Sequence, residues 1–315
     1  MQRILVPLDG SEVSEQILPL VTSLAKAFGS EVHLLYVVDT GGLPMSIQWK
    51  GEMKVDQLVL WQQQRGEAYL RGVEAGLKER GVRSRHTVAT DAPALAIATH
   101  AEADASDLIA MSTHGRSGLS RWTLGSVADK VLRTARVPLL LHHPKDHEQE
   151  RVHGVGAVLL PLDGTVESAA AIPLAVRLAE GLHVPLRIAR VAAVYPMVFG
   201  MESPHVYAEV LQGITQEASD YLETIESQLK AKGASVETKL LVGDAATCLL
   251  EWASESPGAL MVMTTHGRSG LGRAVLGSVT DKVARSGAAP VVVIAPDAVW
   301  RVDPGAHLTV QPATR

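Results

Sequence analysis

The chain has 315 residues, of which 46% are hydrophobic, 20% charged and only 4% aromatic, enough apolar material for one large or two medium cores. Lys and Arg number 29 against 34 Asp and Glu, and the resulting formal charge of −5 offers no basic field for a nucleic-acid backbone. With Cys248 as the sole cysteine, a disulfide scaffold is excluded along with disorder and collagen-like repeats, and a reducing cytoplasm is the expected compartment.

The first strand is predicted over residues 4–8 and ends at Asp9-Gly10. Val13, Ile17, Leu20, Val21, Leu24 and Phe28 then recur at helical spacing, with Ser11 placed to cap the start and Gly29 the end. Pro19 falls inside this pattern and predicts a kink. A second strand is expected over 32–38, followed by a loop or flap from Thr40 to Val55 that contains Gly41, Gly42 and Pro44. Tyr69, Leu70, Val73 and Leu77, closed by Gly81, form the core stripe of the next helix. Further strands are predicted over 86–90, 108–112 and 137–141, the last two separated by a glycine-bearing loop and a helix opening near Gly125-Ser126. No stretch approaches the ~20 apolar residues that span a bilayer, and the opening run is too short for a signal-peptide core.

The same order then repeats. Ile4-Leu5-Val6-Pro7-Leu8-Asp9-Gly10 returns as Val158-Leu159-Leu160-Pro161-Leu162-Asp163-Gly164, and His114-Gly115-Arg116-Ser117-Gly118-Leu119 returns as His266-Gly267-Arg268-Ser269-Gly270-Leu271. The shift is 154 residues at the first motif and 152 at the second, which marks a duplicated domain and not a short-period solenoid. The second copy supplies strands at 158–162, 186–191, 239–242, 260–264 and 290–294, and Pro173 matches Pro19. Strands alternating with helices predict a parallel α/β sheet in each copy. The expected boundaries are a first domain over 1–143, a linker over 144–154, a second domain over 155–296 and a tail over 297–315. The apolar final strands would be hazards if exposed, so they are expected to pair or pack with one another as an intrachain pseudo-dimer, with a homodimer of whole chains as a further step.

Two features of each copy carry chemistry. Asp9 or Asp163 ends the first strand at the carboxyl edge of the sheet, where a carboxylate either accepts from ribose hydroxyls or an adenine amino group, or serves the helix cap beside Ser11. The second feature is the loop that follows the fourth strand. It reads Ser112-Thr113-His114-Gly115, nine residues, then Gly125-Ser126, and in the second copy Thr264-Thr265-His266-Gly267, nine residues, then Gly277-Ser278. Glycine lets the backbone approach an anion, and helix-start amides joined by a serine hydroxyl form a phosphate site; the alternative is a plain loop with a serine N-cap. His142, His143, His147 and Asp146 read as a solvated cluster before a metal site. Cys248, next to Leu249 and Leu250, reads as a small buried hydrophobe. The Walker-type loop, the Gly-x-Gly-x-x-Gly opening, the Gly-x-Ser-x-Gly elbow and the His-Glu-x-x-His motif are all missing from the sequence.

The Leu-Val-Pro-Leu-Asp-Gly opening, the Thr-His-Gly-Arg-Ser-Gly-Leu run and the Leu-Gly-Ser-Val segment resemble the universal stress protein family in its tandem two-domain form. The resemblance covers nearly all of both halves. It implies a five-stranded parallel sheet of the adenine-nucleotide α-hydrolase-like, Rossmann-like type, with ATP held between the first and fourth strands. The family signature, Gly-x-x-Gly, nine residues, Gly and Ser or Thr, falls on Gly115, Gly125 and Ser126 and on Gly267, Gly277 and Ser278, with Ser112 and Thr264 replacing its first glycine. The resemblance further implies that adenine is read by main chain at Val37 and Val191, with Pro7, Asp9, Pro161 and Asp163 beside the base and ribose. Arg116 and Arg268 are candidates for the phosphates, His114 and His266 for shaping the loop or touching phosphate, and Ser117, Val127, Ser269 and Val279 lie in the same segments. The implied ligand is ATP, ADP or AMP, with Mg2+ as companion ion. The function read from this is a non-enzymatic, nucleotide-dependent signalling or protective role in stress response, without nucleic-acid or membrane partners. The alternatives are a slow ATPase or nucleotidyl transferase, or an interaction module that no longer binds nucleotide.

Overall fold

The computed structural model describes residues 1–41, 55–113, 124–143, 154–193, 204–265 and 277–295, which divide into two compact units. The first unit contains β1 (Arg3–Leu8), α1 (Glu12–Glu15), α2 (Leu18–Phe28), β2 (Glu31–Val38), α3 (Val55–Glu79), β3 (Ser84–Thr90), α4 (Pro93–Ala103), β4 (Leu108–Ser112), α5 (Ser126–Thr134) and β5 (Leu139–His142). Its strands lie in the order β3-β2-β1-β4-β5 with parallel neighbours throughout. The order reverses beside β1, which pairs with β2 on one side and β4 on the other. That switch point opens a crevice at the carboxyl ends of the two strands.

The unbroken apolar runs explain the central strands. Ile4, Leu5 and Val6 are fully buried, as are Leu34, Leu35, Ile109 and Leu140, because helices cover both faces of the sheet. Alternation along β2 assigns the faces. Tyr36 packs against α3, where a Cβ added to Gly66 would come within 2.6 Å of the tyrosine ring. His33, Leu35 and Val37 therefore point to the opposite face, toward α4.

The second unit repeats the pattern with β6 (Ala157–Pro161), α6 (Val166–Ala169), α7 (Ile172–Leu182), β7 (Leu186–Ala192), α8 (Pro204–Ala231), β8 (Val236–Val242), α9 (Ala245–Ser254), β9 (Ala259–Thr264), α10 (Ser278–Ser286) and β10 (Val291–Ile294). Its strand order is β10-β9-β6-β7-β8, again parallel. Ile188, Ile225, Leu229, Leu260 and Val262 lie at its centre, fully buried. Among the described residues no helix is long and apolar enough to cross a membrane.

Three sequence expectations need correction. The first helix of each copy is two helices, because Pro19 and Pro173 stand in the first turn of α2 and α7 instead of kinking a longer one. A proline there forfeits only an N–H that has no intrahelical partner, so the chain breaks before it and restarts. The outer strands begin earlier than their apolar runs, β3 at Ser84 and β8 at Val236, since each sits at the edge of its unit's sheet and tolerates polar residues. Conversely β5 begins only at Leu139, because Pro138 has no N–H to give the ladder and contributes its carbonyl to Ile109 N–H alone. The caps at Ser11 and Gly29 are present, the latter in the left-handed conformation at φ +63°; His183 takes the matching place in the second unit at φ +56°.

Candidate functional site

Asp9 follows β1, and one of its carboxylate oxygens accepts from both the Ser11 amide at 3.0 Å and the Ser11 hydroxyl at 2.6 Å. Ser11 Oγ in turn accepts from Ser14 N–H at 3.1 Å and caps α1. The acid thus orients the capping side chain instead of capping the helix itself, and its own rotamer is fixed in the exchange. Asp163 repeats this with Thr165 at 3.0 and 2.6 Å, and Thr165 caps α6 by accepting from Ser168 N–H at 3.1 Å. Two copies that keep the geometry while exchanging serine for threonine preserve a hydroxyl with the same donor and acceptor capacity.

Across the crevice, β4 ends at Ser112, whose hydroxyl donates to the Ser14 carbonyl at 3.3 Å. Thr113 N–H donates to His142 carbonyl at 2.8 Å, and the Thr113 carbonyl accepts from Gly125 N–H at 2.8 Å. That bond pins the start of α5 to the strand end. Gly125, not Ser126, is the N-cap, and no side chain caps the helix, so Ser126 enters as an exposed first-turn residue with its hydroxyl at the crevice. The same clamp holds α10: Thr265 N–H donates to the Ile294 carbonyl at 2.9 Å and Gly277 N–H to the Thr265 carbonyl at 2.6 Å. First-turn amides without intrahelical partners make each helix start attractive to an anion.

Between these walls the first unit holds a cavity of about 270 Å³. It gathers Pro7, Asp9, Val37, Ser112, Gly125, Ser126 and Val127, seven residues singled out from the sequence. The structure adds apolar walls that the sequence did not mark, namely Leu35, Met111 and, from α4, Pro93 and Ile97. The last two stand one helical turn apart on a single stripe, a signal present in the sequence but indistinguishable there from ordinary core. The walls are mainly apolar with polar groups at one end, which suits a flat heterocycle bearing a polar tail.

In the second unit Pro161, Asp163, Val191 and Thr264 stand at the strand ends and Gly277, Ser278 and Val279 open α10. Thr280 replaces Ala128 and its hydroxyl donates to the Thr264 carbonyl at 2.9 Å. Behind the Asp163 turn, Arg190 stands where the first unit has Tyr36. Its guanidinium reaches Glu217 Oε1 at 2.7 Å, lies 4.9 Å from the Tyr221 ring and packs against Gly164. At φ +87° a side chain at position 164 would be strained, and a Cβ there would stand 3.0 Å from the Arg190 Cζ, so the position favours glycine. Burial pushes the Tyr221 hydroxyl up to about 12, Arg190 opposing, and burial with Glu15 pushes up that of Tyr69, which donates to Glu15 Oε1 at 3.0 Å. Neither phenol ionises at neutral pH.

His114, Gly115, Arg116, Ser117, His266, Gly267, Arg268 and Ser269 lie outside the described residues, as do His147, Asp146 and nearly all of the 40–55 stretch. Among the described residues no group of His, Cys, Asp and Glu is arranged to hold a metal ion. Cys248 is half-buried, not buried, with its Sγ 3.5 Å from the Val242 carbonyl. Burial pushes its thiol above the ordinary value, which makes it a poor nucleophile.

The family model described as the universal stress protein family matches the chain twice, over residues 1–143 and 155–295. A universal stress protein of Methanocaldococcus jannaschii is 35% identical over 143 residues, covering 44% of this chain and 81% of that protein. One from Synechocystis is 23% identical over 309 residues, which span 93% of this chain and 99% of its own. Among solved structures, a universal stress protein from Archaeoglobus fulgidus superposes with a TM-score of 0.66 at 21% identity, covering 93% of this chain and 96% of that one.

Proposed function

Because the chain belongs to the universal stress protein family and carries two such domains in tandem, we propose that it binds an adenine nucleotide at the carboxyl edge of each unit's sheet and acts in stress response as a nucleotide-dependent signalling or protective protein, not as an enzyme. The observation that carries this reading is the cavity of about 270 Å³ in which the first-strand acid, the fourth-strand end and an uncapped helix start converge. That volume sits just below the roughly 300–1,000 Å³ of ordinary ligand pockets, and so suits a nucleoside better than a whole triphosphate. The base stacks between Val37 and the apolar walls, main chain at Val37 reads its edge, and Asp9, held by Ser11, accepts from the ribose. Phosphates follow toward Gly125 and Ser126, with the 114–117 segment and Arg116 completing their site. In the second unit Pro161, Asp163, Val191, Gly277 and Ser278 take the same parts, with Thr264, Val279 and the 266–269 segment beside them.

The residues present fit this ligand. The Ser112 hydroxyl engages the Ser14 carbonyl, which gives the serine at this position a partner within the protein. Bound Mg2+ would neutralise phosphate oxygens. Among the described residues that line the cavity no base is poised against a nucleophile, and binding, not turnover, is therefore proposed.

The test is to release ligand from freshly purified protein by heat, identify it by chromatography, and titrate ATP and AMP by calorimetry. Binding to the folded form alone stabilises it by about 2.7 kcal/mol at 100 times the dissociation constant, readable as a raised melting temperature. Absence of released ligand together with absence of binding heat overturns the proposal.

A further inference from the structure

On the sheet face that carries the cavity, β2 presents His33 two residues before Leu35, a cavity wall. His33 is only 2% exposed. Its Nδ1 meets the carboxylate of Asp104, the C-cap residue of α4. Its Nε2 lies 2.9 Å from Thr87 Oγ1 and 3.4 Å from Arg85 Nη1, both on β3. The remaining ionisable groups at hand are His100 of α4, with ring centroids 6.3 Å apart, and Glu31 of β2, which reaches Arg85 at 3.7 Å. Arg85 also pairs with Asp104 at 2.9 Å.

This arrangement fixes a proton. A guanidinium can only donate and the Thr87 hydroxyl is able to, so a bare Nε2 satisfies both of its neighbours and leaves the one ring proton on Nδ1 toward Asp104. The imidazole is therefore neutral. A second proton would find an acceptor in the Thr87 hydroxyl but would set a buried cation 3.4 Å from the Arg85 guanidinium. Burial, with Arg85 next, holds the imidazole below its ordinary value, while Asp104 pulls the other way.

The groups that would be disturbed lead to the cavity. Pro93, Ile97, His100 and Asp104 follow one another at spacings of four, three and four residues, which places them on one stripe of α4 and its cap. The first two wall the cavity, the ring of His100 lies beside that of His33, and Asp104 meets its Nδ1. In the second unit Arg187 occupies the place of His33, paired with Glu237 on β8 at 2.9 Å, and Ser256 that of Asp104. A guanidinium does not titrate at any physiological pH.

We infer that His33 is a proton-operated latch on α4, and that charging it frees the helix and weakens nucleotide binding in the first unit while leaving the second unit unaffected. The effect on binding rests on the function proposed above, whereas the latch itself does not. The test uses the full chain. Nitrogen chemical shifts of His33 at pH 7.5 should report a proton on Nδ1 alone. Amide exchange, corrected for its intrinsic pH dependence, should then show α4 opening more often as pH falls below about 6.5, by as much as about tenfold per unit, with α9 as an unchanging internal reference. ATP affinity of the first site, measured by calorimetry with the second disabled by Asp163→Ala, should fall in parallel, and His33→Gln should remove that dependence. A proton on Nε2, a cationic ring at pH 7.5, or α4 and α9 tracking one another down to pH 5 would overturn the latch. Opening of α4 without loss of affinity would overturn its coupling to the cavity. No ATP binding at pH 7.5 would overturn the nucleotide reading, while the exchange measurement still decides the latch.

Discussion

Replacing Gly66 by alanine sets two opposing effects against each other at one atom. The new Cβ would lie 2.6 Å from Tyr36 Cδ1, 2.9 Å from Cε1 and 3.0 Å from Cγ, so the clash is with the ring face and not with a flexible tip. The ring cannot retreat freely, because Tyr36 is 7% exposed and packs edge-on against Tyr69 with centroids 6.2 Å apart. Overpacking of this kind costs about 1–3 kcal/mol. Against it, removing a glycine from the interior of α3 recovers roughly 0.5–1 kcal/mol of chain entropy and helix propensity. The net expectation is destabilisation by about 0–2.5 kcal/mol, a lower melting temperature for the first unit by about 2–4 °C per kcal/mol. The decisive control is Tyr36→Leu, which removes the ring. In that background Gly66→Ala keeps only its helical benefit and becomes stabilising. Scanning calorimetry of the four chains closes the cycle, and an alanine that stabilises the unaltered chain, or a cycle without coupling, refutes the reasoning. The second unit already illustrates the exchange, since Ala218 stands in place of Gly66 and Arg190 in place of Tyr36.

The remaining predictions are shorter. Tyr69→Phe should destabilise by about 1 kcal/mol by stripping Glu15 of its donor, whereas Tyr221→Phe should be neutral or stabilising, because that buried hydroxyl has no hydrogen-bond partner among the described residues; urea denaturation of each compares them. His86 faces Glu67 at Nε2 and Glu74 at Nδ1, and these acids, Glu67 first and against the cost of burial, raise its pKa. Its contribution should therefore be full below about pH 6.5 and lost as pH rises through the higher folded value, so the stability gap to His86→Gln narrows from pH 6 to pH 8.5. Asp9→Ala should cost about 0.5–2 kcal/mol through the Ser11 cap and also weaken nucleotide binding, while Ser11→Ala lowers stability with a smaller effect on affinity; calorimetric titration separates the two.

The fold was legible because duplication wrote it twice and because buried parallel strands are continuous apolar runs. The elements that sequence misplaced are those where another constraint overrides hydrophobicity: the breaks before Pro19 and Pro173, the polar edge strands, and the late start of β5 after Pro138. Within the site, Asp9, Val37 and Gly125 could be found from motif and strand-end position. Pro93, Ile97 and Met111 could not, since an apolar residue that walls a cavity looks in sequence like one that fills a core. Nor could spacing show that Asp9 is committed to Ser11, a contact made by a turn of two residues.

What sequence cannot supply at all is the protonation of a histidine, and neighbouring strands of one sheet make the point. His33 on β2 faces α4 and His86 on β3 faces α3, on opposite sides of the sheet. His86 meets carboxylates at both nitrogens, groups that only accept, so these neighbours favour the doubly protonated ring and raise its pKa. His33 meets a carboxylate at one nitrogen and a hydroxyl with a guanidinium at the other, and burial beside that guanidinium favours the neutral ring. Acid thus leaves His86 as it is and turns His33 against its neighbours, while alkali does the reverse. The first unit is for this reason sensitive to pH in both directions through different helices, α4 by way of His33 and α3 by way of His86. The second unit carries Arg187 and Thr238 at the matching positions, side chains that do not titrate near neutral pH.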